Sequence, residues 1–214
     1  YVAMVQDDMK RIMAYSSVAH MGFVTLGIFV AVELIHTHGD SDLAVLGMQG
    51  AMIQMVSHGF ISGAAFTCIG ILYDRMHTRL IKDYGGVINT MPWFGLFFVL
   101  FMMGNNGLPG TSGFVGEFMV VISSFSLNPW VALGAAFTLV ISAAYTLWMV
   151  KRVLWGPVVN EAVAQLKDLD TREWITMLAF AAAVLVVGVW PQPFIHLMDA
   201  SVTQLVQNLN HSKL

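Results

Sequence analysis

The stretch GNNGLPGTSGFVGEFMVV, residues 104–121, uses glycines and one proline to deliver a single glutamate into apolar sequence. Glu117 is the only formally charged residue between Asp83 and Lys151, with 33 uncharged residues on either side. Uncharged runs of that length exceed the roughly 20 apolar residues that span a bilayer as a helix. The fold class expected is therefore all-α, a polytopic transmembrane helix bundle, and the glycine–proline stretch marks a loosened helix inside it.

Composition agrees. The 214 residues are 57% hydrophobic and only 11% charged, under half of the ~25% charge of soluble domains. A net charge of −3 with scattered basic residues makes no phosphate-binding stripe, so nucleic acid is not an expected partner and the lipid bilayer is. The single cysteine, Cys68, excludes an internal disulfide and reads as a small buried apolar group. The opening YVAMVQDDMK has no basic segment followed by an apolar core, so it is no signal peptide. It reads as an internal piece of a longer protein.

Six spanning helices are expected. They run from Arg11 to Glu33, between Asp42 and Asp74, from Pro92 to GNNG (104–107), through LPGTSGFVGEF to SLNP (126–129), from Trp130 to Val150, and from Trp174 to Trp190. The 31 uncharged residues between Asp42 and Asp74 are more than a bilayer needs, so the early part of that segment is expected to be loop or interface. HTHGDSD (36–42) reads as a loop, with Glu33, His36 and His38 facing water. The organisation expected is 1–155 as one repeat, 156–173 as a partly amphipathic connection, 174–195 as a final helix stopped by PQP (191–193), and 196–214 as a polar tail. With six crossings, basic residues divide six to four. Lys10, Arg11, Arg75, Arg79, Lys82 and Lys213 fall on one side, Lys151, Arg152, Lys167 and Arg172 on the other. That division is too even to fix orientation by the positive-inside rule.

Three residues stand out for chemistry. A charge at mid-membrane costs about 2.5–3.5 kcal/mol on insertion scales. Glu117 has no basic residue within 33 positions on either side to offset it. A broken helix would expose backbone groups that line a hydrated cavity beside it. The alternative is a structural carboxylate that pairs or reaches an interface. His58 shares its helix with Gln54, Ser57 and Ser62. Gln54, His58 and Ser62 recur every four residues and so line one face, along which an imidazole can relay protons. His20, one turn past Ser16, suits a proton path or a hydrogen-bonded packing contact. GTSGFVG (110–116) lacks the spacing of a dinucleotide loop and follows no strand. No cysteine set for an iron–sulfur cluster exists, and no His or Cys set has recognisable metal spacing.

QDDMKRIMAYSSVAHMGFV (6–24), HGFISGAAFTCIGILYDRMHTRLIKDYGG (58–86) and LPGTSGFVGEF (108–118) together resemble the subunit M family of the proton-translocating NADH:quinone oxidoreductase, respiratory complex I. Its mitochondrial counterpart is NADH-ubiquinone oxidoreductase chain 4. The likeness extends from the first residue to about Pro193, and YDRMHTR favours subunit M over its antiporter-like sisters. It implies about the last six of some fourteen helices, containing the second of two inverted five-helix repeats, a final helix and one half-channel. It implies that Glu117 is the broken-helix acid of that half-channel and His58 the membrane histidine feeding it. Sister subunits carry lysine at the positions of Glu117 and Ser62. The function implied is proton translocation as a subunit of an NADH:quinone oxidoreductase, with no redox catalysis by this chain. NADH, FMN, iron–sulfur clusters and quinone belong to other subunits. Implied partners are the other membrane subunits, including the antiporter-like sisters. The location implied is a bacterial cytoplasmic membrane or, alternatively, a mitochondrial inner membrane. Two readings compete: a subunit of a multi-subunit Na+/H+ antiporter, and a membrane module whose buried polar groups serve packing alone.

Overall fold

A computed structural model describes residues 1–38 and 41–212; the side chain of His38, the Gly39–Asp40 part of the HTHGDSD loop, and Lys213 lie outside the described residues. Each of the six apolar segments forms a helix. Four are long and apolar enough to cross a membrane: α1 (Met9–His38), α2 (Ser41–Met76), α5 (Pro129–Leu154) and α7 (Thr171–Val189). Two are shorter: α3 (Pro92–Asn105) and α4 (Ser112–Leu127). A single turn, α6 (Glu161–Ala164), and a final helix, α8 (Gln192–His211), complete the order, and no strand occurs among the described residues.

Local sequence sets the boundaries. Pro92 and Pro129 open α3 and α5 at first-turn positions, where no N–H is needed. The Asn128 side chain accepts from the Trp130 N–H at the start of α5. Asp170 and Glu173 form a reciprocal capping box on α7. Asp168, from the preceding connection, accepts from the first-turn N–H groups of Trp93 and Phe94 at 2.9 and 3.1 Å and so caps α3 from outside.

The two short helices share one crossing. At ~1.5 Å per residue, 14 and 16 residues give about 21 and 24 Å each, too short for a ~30 Å hydrocarbon core. Their contacts with α2 run in one order. Ser123 of α4 donates to the Leu43 carbonyl at the start of α2, and Ser57, midway along, donates to the Ser112 carbonyl. The N-terminus of α3 is held by Asp168, beside the Arg75–Glu173 pair at the far end of α2. The pair α3 and α4 is therefore one discontinuous helix antiparallel to α2, broken at residues 106–111. Two crossings were expected where these two half-helices share one, although the glycine–proline stretch was expected as a loosened helix.

That correction regroups the charges. The start of α1, the end of α2, the start of α3, the end of α5 and the start of α7 lie at one end. Their ties are Met9 N–H to the Arg79 carbonyl, Gly86 N–H to the Trp155 carbonyl, and the bidentate Arg75–Glu173 pair at 2.7 Å. All nine described basic residues sit there: Lys10, Arg11, Arg75, Arg79, Lys82, Lys151, Arg152, Lys167 and Arg172. The opposite end carries Glu33 and His36, both exposed, with Asp42 and Asp199.

Two further expectations change. The early part of α2 is helical from Ser41, so the helix, at about 54 Å by helical rise, is far longer than the hydrocarbon core. The segment read as a polar tail forms most of α8. Its Met198, Val202, Val206 and Leu209 make an apolar stripe that packs on Val30, Leu34 and Ile35 of α1 and Ala44 and Met48 of α2. Low average hydropathy hid that one-sided stripe.

Helices in lipid gain little from apolar burial and associate through close packing of small residues. Gly116 shows this: a Cβ there would lie 2.8 Å from the Cα of Gln54, so α4 lies directly on α2 at the level of Glu117. Phe94, Phe98 and Phe101, all fully buried, fill the bundle nearer the basic end. Cys68 is buried there too, its Sγ 3.9 Å from Met177 Sδ.

Candidate functional site at the helix break

The break places a carboxylate among three helices. Glu117, on the second turn of α4, is 1% exposed, and His20 of α1 is 3% exposed. His20 Nδ1 and Glu117 Oε1 share a hydrogen bond of 2.7 Å. The Gln54 side-chain amide of α2 donates to the same oxygen at 3.2 Å. The His58 ring lies 5.6 Å from that of His20, centre to centre, and is half-buried. Residues 97 and 63 positions apart from Glu117 thus meet on one oxygen.

The remaining sequence candidates divide. Ser57 is buried and joins α2 to the α4 backbone at 2.8 Å. Ser62 is half-buried, a turn beyond His58 on the same face of α2 and away from the carboxylate. Of the two histidines, His20 touches Glu117, and the His58 ring lies beside that of His20.

Several buried atoms have no hydrogen-bond partner among the described residues. They include Glu117 Oε2, His20 Nε2 and Gln54 Oε1. Leaving such groups unpaired is costly, and a cluster of them is polar enough to hold water. Gly107 makes the room. It holds φ +69°, a left-handed conformation, and a Cβ there would stand 2.6 Å from Glu117 Oε2. The glycine therefore serves both the turn and the free carboxylate oxygen.

The pair can pass a proton. With Nδ1 unprotonated, the geometry would let His20 take a proton from Glu117 Oε1 and release one at Nε2, with a new proton arriving at Oε2. Both outer atoms, Oε2 and Nε2, are the unpartnered ones.

A second polar set was not assembled from the sequence. Tyr145 OH of α5 donates to Ser16 Oγ at 2.7 Å, and the Asn105 amide donates to Ser16 Oγ at 3.1 Å. Ser142 Oγ lies 3.1 Å from Tyr145 OH and donates to Asn106 Oδ1 at 3.5 Å. The adjacent asparagines of GNNG were the available signal, read there only as a helix end. Tyr145 lies 129 positions from Ser16, a separation no local pattern spans.

A membrane bundle with a half-helix break, a buried carboxylate at the break and histidines from neighbouring helices has the architecture of an antiporter-like membrane subunit. Residues 1–142 match the family model described as NADH:quinone oxidoreductase/Mrp antiporter, TM, and the chain belongs to that family. It is 49% identical over 207 residues to NADH-quinone oxidoreductase subunit M of Rhodobacter capsulatus, covering 97% of this chain and 38% of that protein. It is 42% identical over 203 residues to NADH-ubiquinone oxidoreductase chain 4 of Marchantia polymorpha, covering 95% of this chain and 39% of that one. It superposes on a chain of respiratory complex I from Thermus thermophilus with bound NADH at a TM-score of 0.83 and 29% identity, covering 96% of this chain and 41% of that chain. The chain thus spans about two fifths of the length of the relatives it matches.

Proposed function

We propose that this chain is part of a proton-translocating membrane subunit of an NADH:quinone oxidoreductase, and that protons pass through a half-channel centred on Glu117. The observation that carries the reading is the buried 2.7 Å His20–Glu117 contact at a helix break, with unpartnered atoms at both outer ends. Identities of 42–49% to proteins named as subunit M and chain 4 support it.

Magnitudes permit the role. Moving one charge against 100 mV costs ~2.3 kcal/mol. A tenfold change in a group's proton affinity is worth ~1.4 kcal/mol. A change of about a hundredfold between a wetted and a closed site therefore suffices, if redox chemistry elsewhere drives the switch. Within this chain Glu117 and His20 hold and pass the proton, Gln54 and Ser57 fix α2 against the break, and His58 supplies the next step outward.

The chain itself carries out no redox chemistry in this reading. NADH, FMN, iron–sulfur clusters and quinone are bound by other subunits, and the partners are other membrane subunits, among them antiporter-like sisters. The positive-inside rule puts the end with nine basic residues on the cytoplasmic side of a bacterial inner membrane.

The test is to tag the chain in its native membrane and purify what it assembles with. Co-purification with NADH-oxidising, quinone-reducing activity is expected. A complex that exchanges Na+ for H+ without oxidising NADH would overturn the proposal in favour of the Na+/H+ antiporter reading.

A further inference from the structure

We infer that Tyr145, Ser142 and Ser16 form a hydroxyl relay that branches from the His20–Glu117 pair toward the basic end of the bundle, opening between α1 and α5. The inference rests on the proposed proton-carrying role of Glu117 and assigns further residues to it.

Three observations converge. The first is continuity. Ser142 Oγ, Tyr145 OH and Ser16 Oγ follow one another at 3.1 and 2.7 Å, and all three residues are buried, Tyr145 only 5% exposed. Ser16 is one helical turn from His20 on the same face of α1, on the side nearer the basic end.

The second observation is unpaired polarity. Asn105 Oδ1, Asn106 Nδ2 and Thr146 Oγ1 are buried side-chain atoms with no partner among the described residues. They flank the hydroxyls at the helix break. A buried water needs two to four polar partners, and the relay places one between Ser16 and the unpartnered His20 Nε2. A purely structural hydroxyl cluster would have satisfied its amides internally.

The third is an outlet. A cavity of about 340 Å³ lies between α1, α5 and the first residues, largely apolar, with Tyr1, Tyr15, Thr138 and Tyr145 as its polar groups. Tyr145 is the one relay residue that lines it, so its phenol stands between the cavity and Ser16.

The transfer balances without any redox partner. Tyr145 gives its hydroxyl proton to Ser16 Oγ as it accepts one from water entering by the cavity, while Ser142 Oγ, 3.1 Å away, holds the phenol in line. Ser16 passes its original proton through a bridging water to an unprotonated His20 Nε2, whose Nδ1 proton moves to Glu117 Oε1; release from Glu117 runs the same steps in reverse. Each oxygen ends with one proton, and one proton has moved. The asparagines hold the geometry and the water and do not exchange protons themselves.

The test uses the whole native complex and reads proton access, not pumping. The carboxyl band of Glu117 is identified in infrared difference spectra by its absence in Glu117→Gln. Its hydrogen–deuterium exchange is then timed in the wild type, Tyr145→Phe, Ser142→Ala and Ser142→Thr. Tyr145→Phe keeps the ring and removes only the hydroxyl, and it is expected to slow exchange by about fivefold, the factor for one lost hydrogen bond. Ser142→Thr, which keeps a hydroxyl, should exchange near the wild-type rate and faster than Ser142→Ala. Unchanged exchange in Tyr145→Phe overturns the relay, and so does lost assembly in both Tyr145→Phe and Ser142→Ala, which would assign these residues to packing. Failure of the parent reading looks different: Glu117→Gln would then pump normally, whatever the exchange rates.

Discussion

Replacing Gly107 by alanine tests whether the glycine exists to free one carboxylate oxygen. The backbone there has φ +69°, and the new Cβ would stand 2.6 Å from Glu117 Oε2. Holding an L-residue in the left-handed region costs about 1–2 kcal/mol. The carboxylate must also retreat by about 0.8 Å to reach the 3.4 Å at which ordinary contact begins. The carboxylate is expected to turn or shift as a unit, which strains the 2.7 Å contact that its other oxygen makes with His20. Losing a hydrogen bond to a charged group costs roughly 1.5–3 kcal/mol, or about 10- to 100-fold in an equilibrium. Gly110 is the control, since it also has positive φ, +90°, and nothing stands within 4 Å of its would-be Cβ. Gly110→Ala should shorten the half-life of the assembled complex in detergent and leave proton uptake per complex near normal. Gly107→Ala should shorten that half-life similarly and also lower NADH-driven proton uptake into sealed vesicles by at least about tenfold. Equal uptake in the two variants would refute the reasoning, because strain alone would then explain both.

His20→Ala should lower coupled turnover more than His58→Ala, because only His20 touches Glu117; turnover per assembled complex decides, and the reverse ranking would restore His58 as the main relay. Removing the Asp168 carboxylate with Asp168→Ala uncaps α3 and should cost about 0.5–2 kcal/mol, read as a lower denaturation midpoint of the complex with uptake by surviving complexes unchanged.

The apolar bundle and its acid were legible because both are written locally. Unbroken uncharged runs give spanning helices, and one glutamate among glycines has no local escape. The crossing count was not legible in the same way. A break inside the membrane and a loop at its surface use the same residues, Gly107, Pro109 and Gly110, and only the contacts of α4 with α2 separate them. That one ambiguity split the ten basic residues six to four across two sides, when all nine described ones share an end. The direct contact of His20 with Glu117 was hidden for a related reason. Gln54, His58 and Ser62 form a visible stripe on one helix, whereas the partner of Glu117 comes from another helix 97 positions away. Tyr145 and the two asparagines needed three helices to be brought together before they read as one set.

The most direct measurement is proton uptake into sealed vesicles, per assembled complex, for Glu117→Gln beside Glu117→Asp and the wild type. Glutamine keeps the shape and hydrogen bonding of the side chain but cannot change charge, so it separates protonation from packing. A glutamate that served structure alone, buried and neutral, would tolerate the change. The expected result is normal assembly with loss of most proton uptake and coupled NADH:quinone turnover in Glu117→Gln, and partial activity in Glu117→Asp. Near-normal uptake by the assembled glutamine variant would contradict the assignment of Glu117 as a proton carrier.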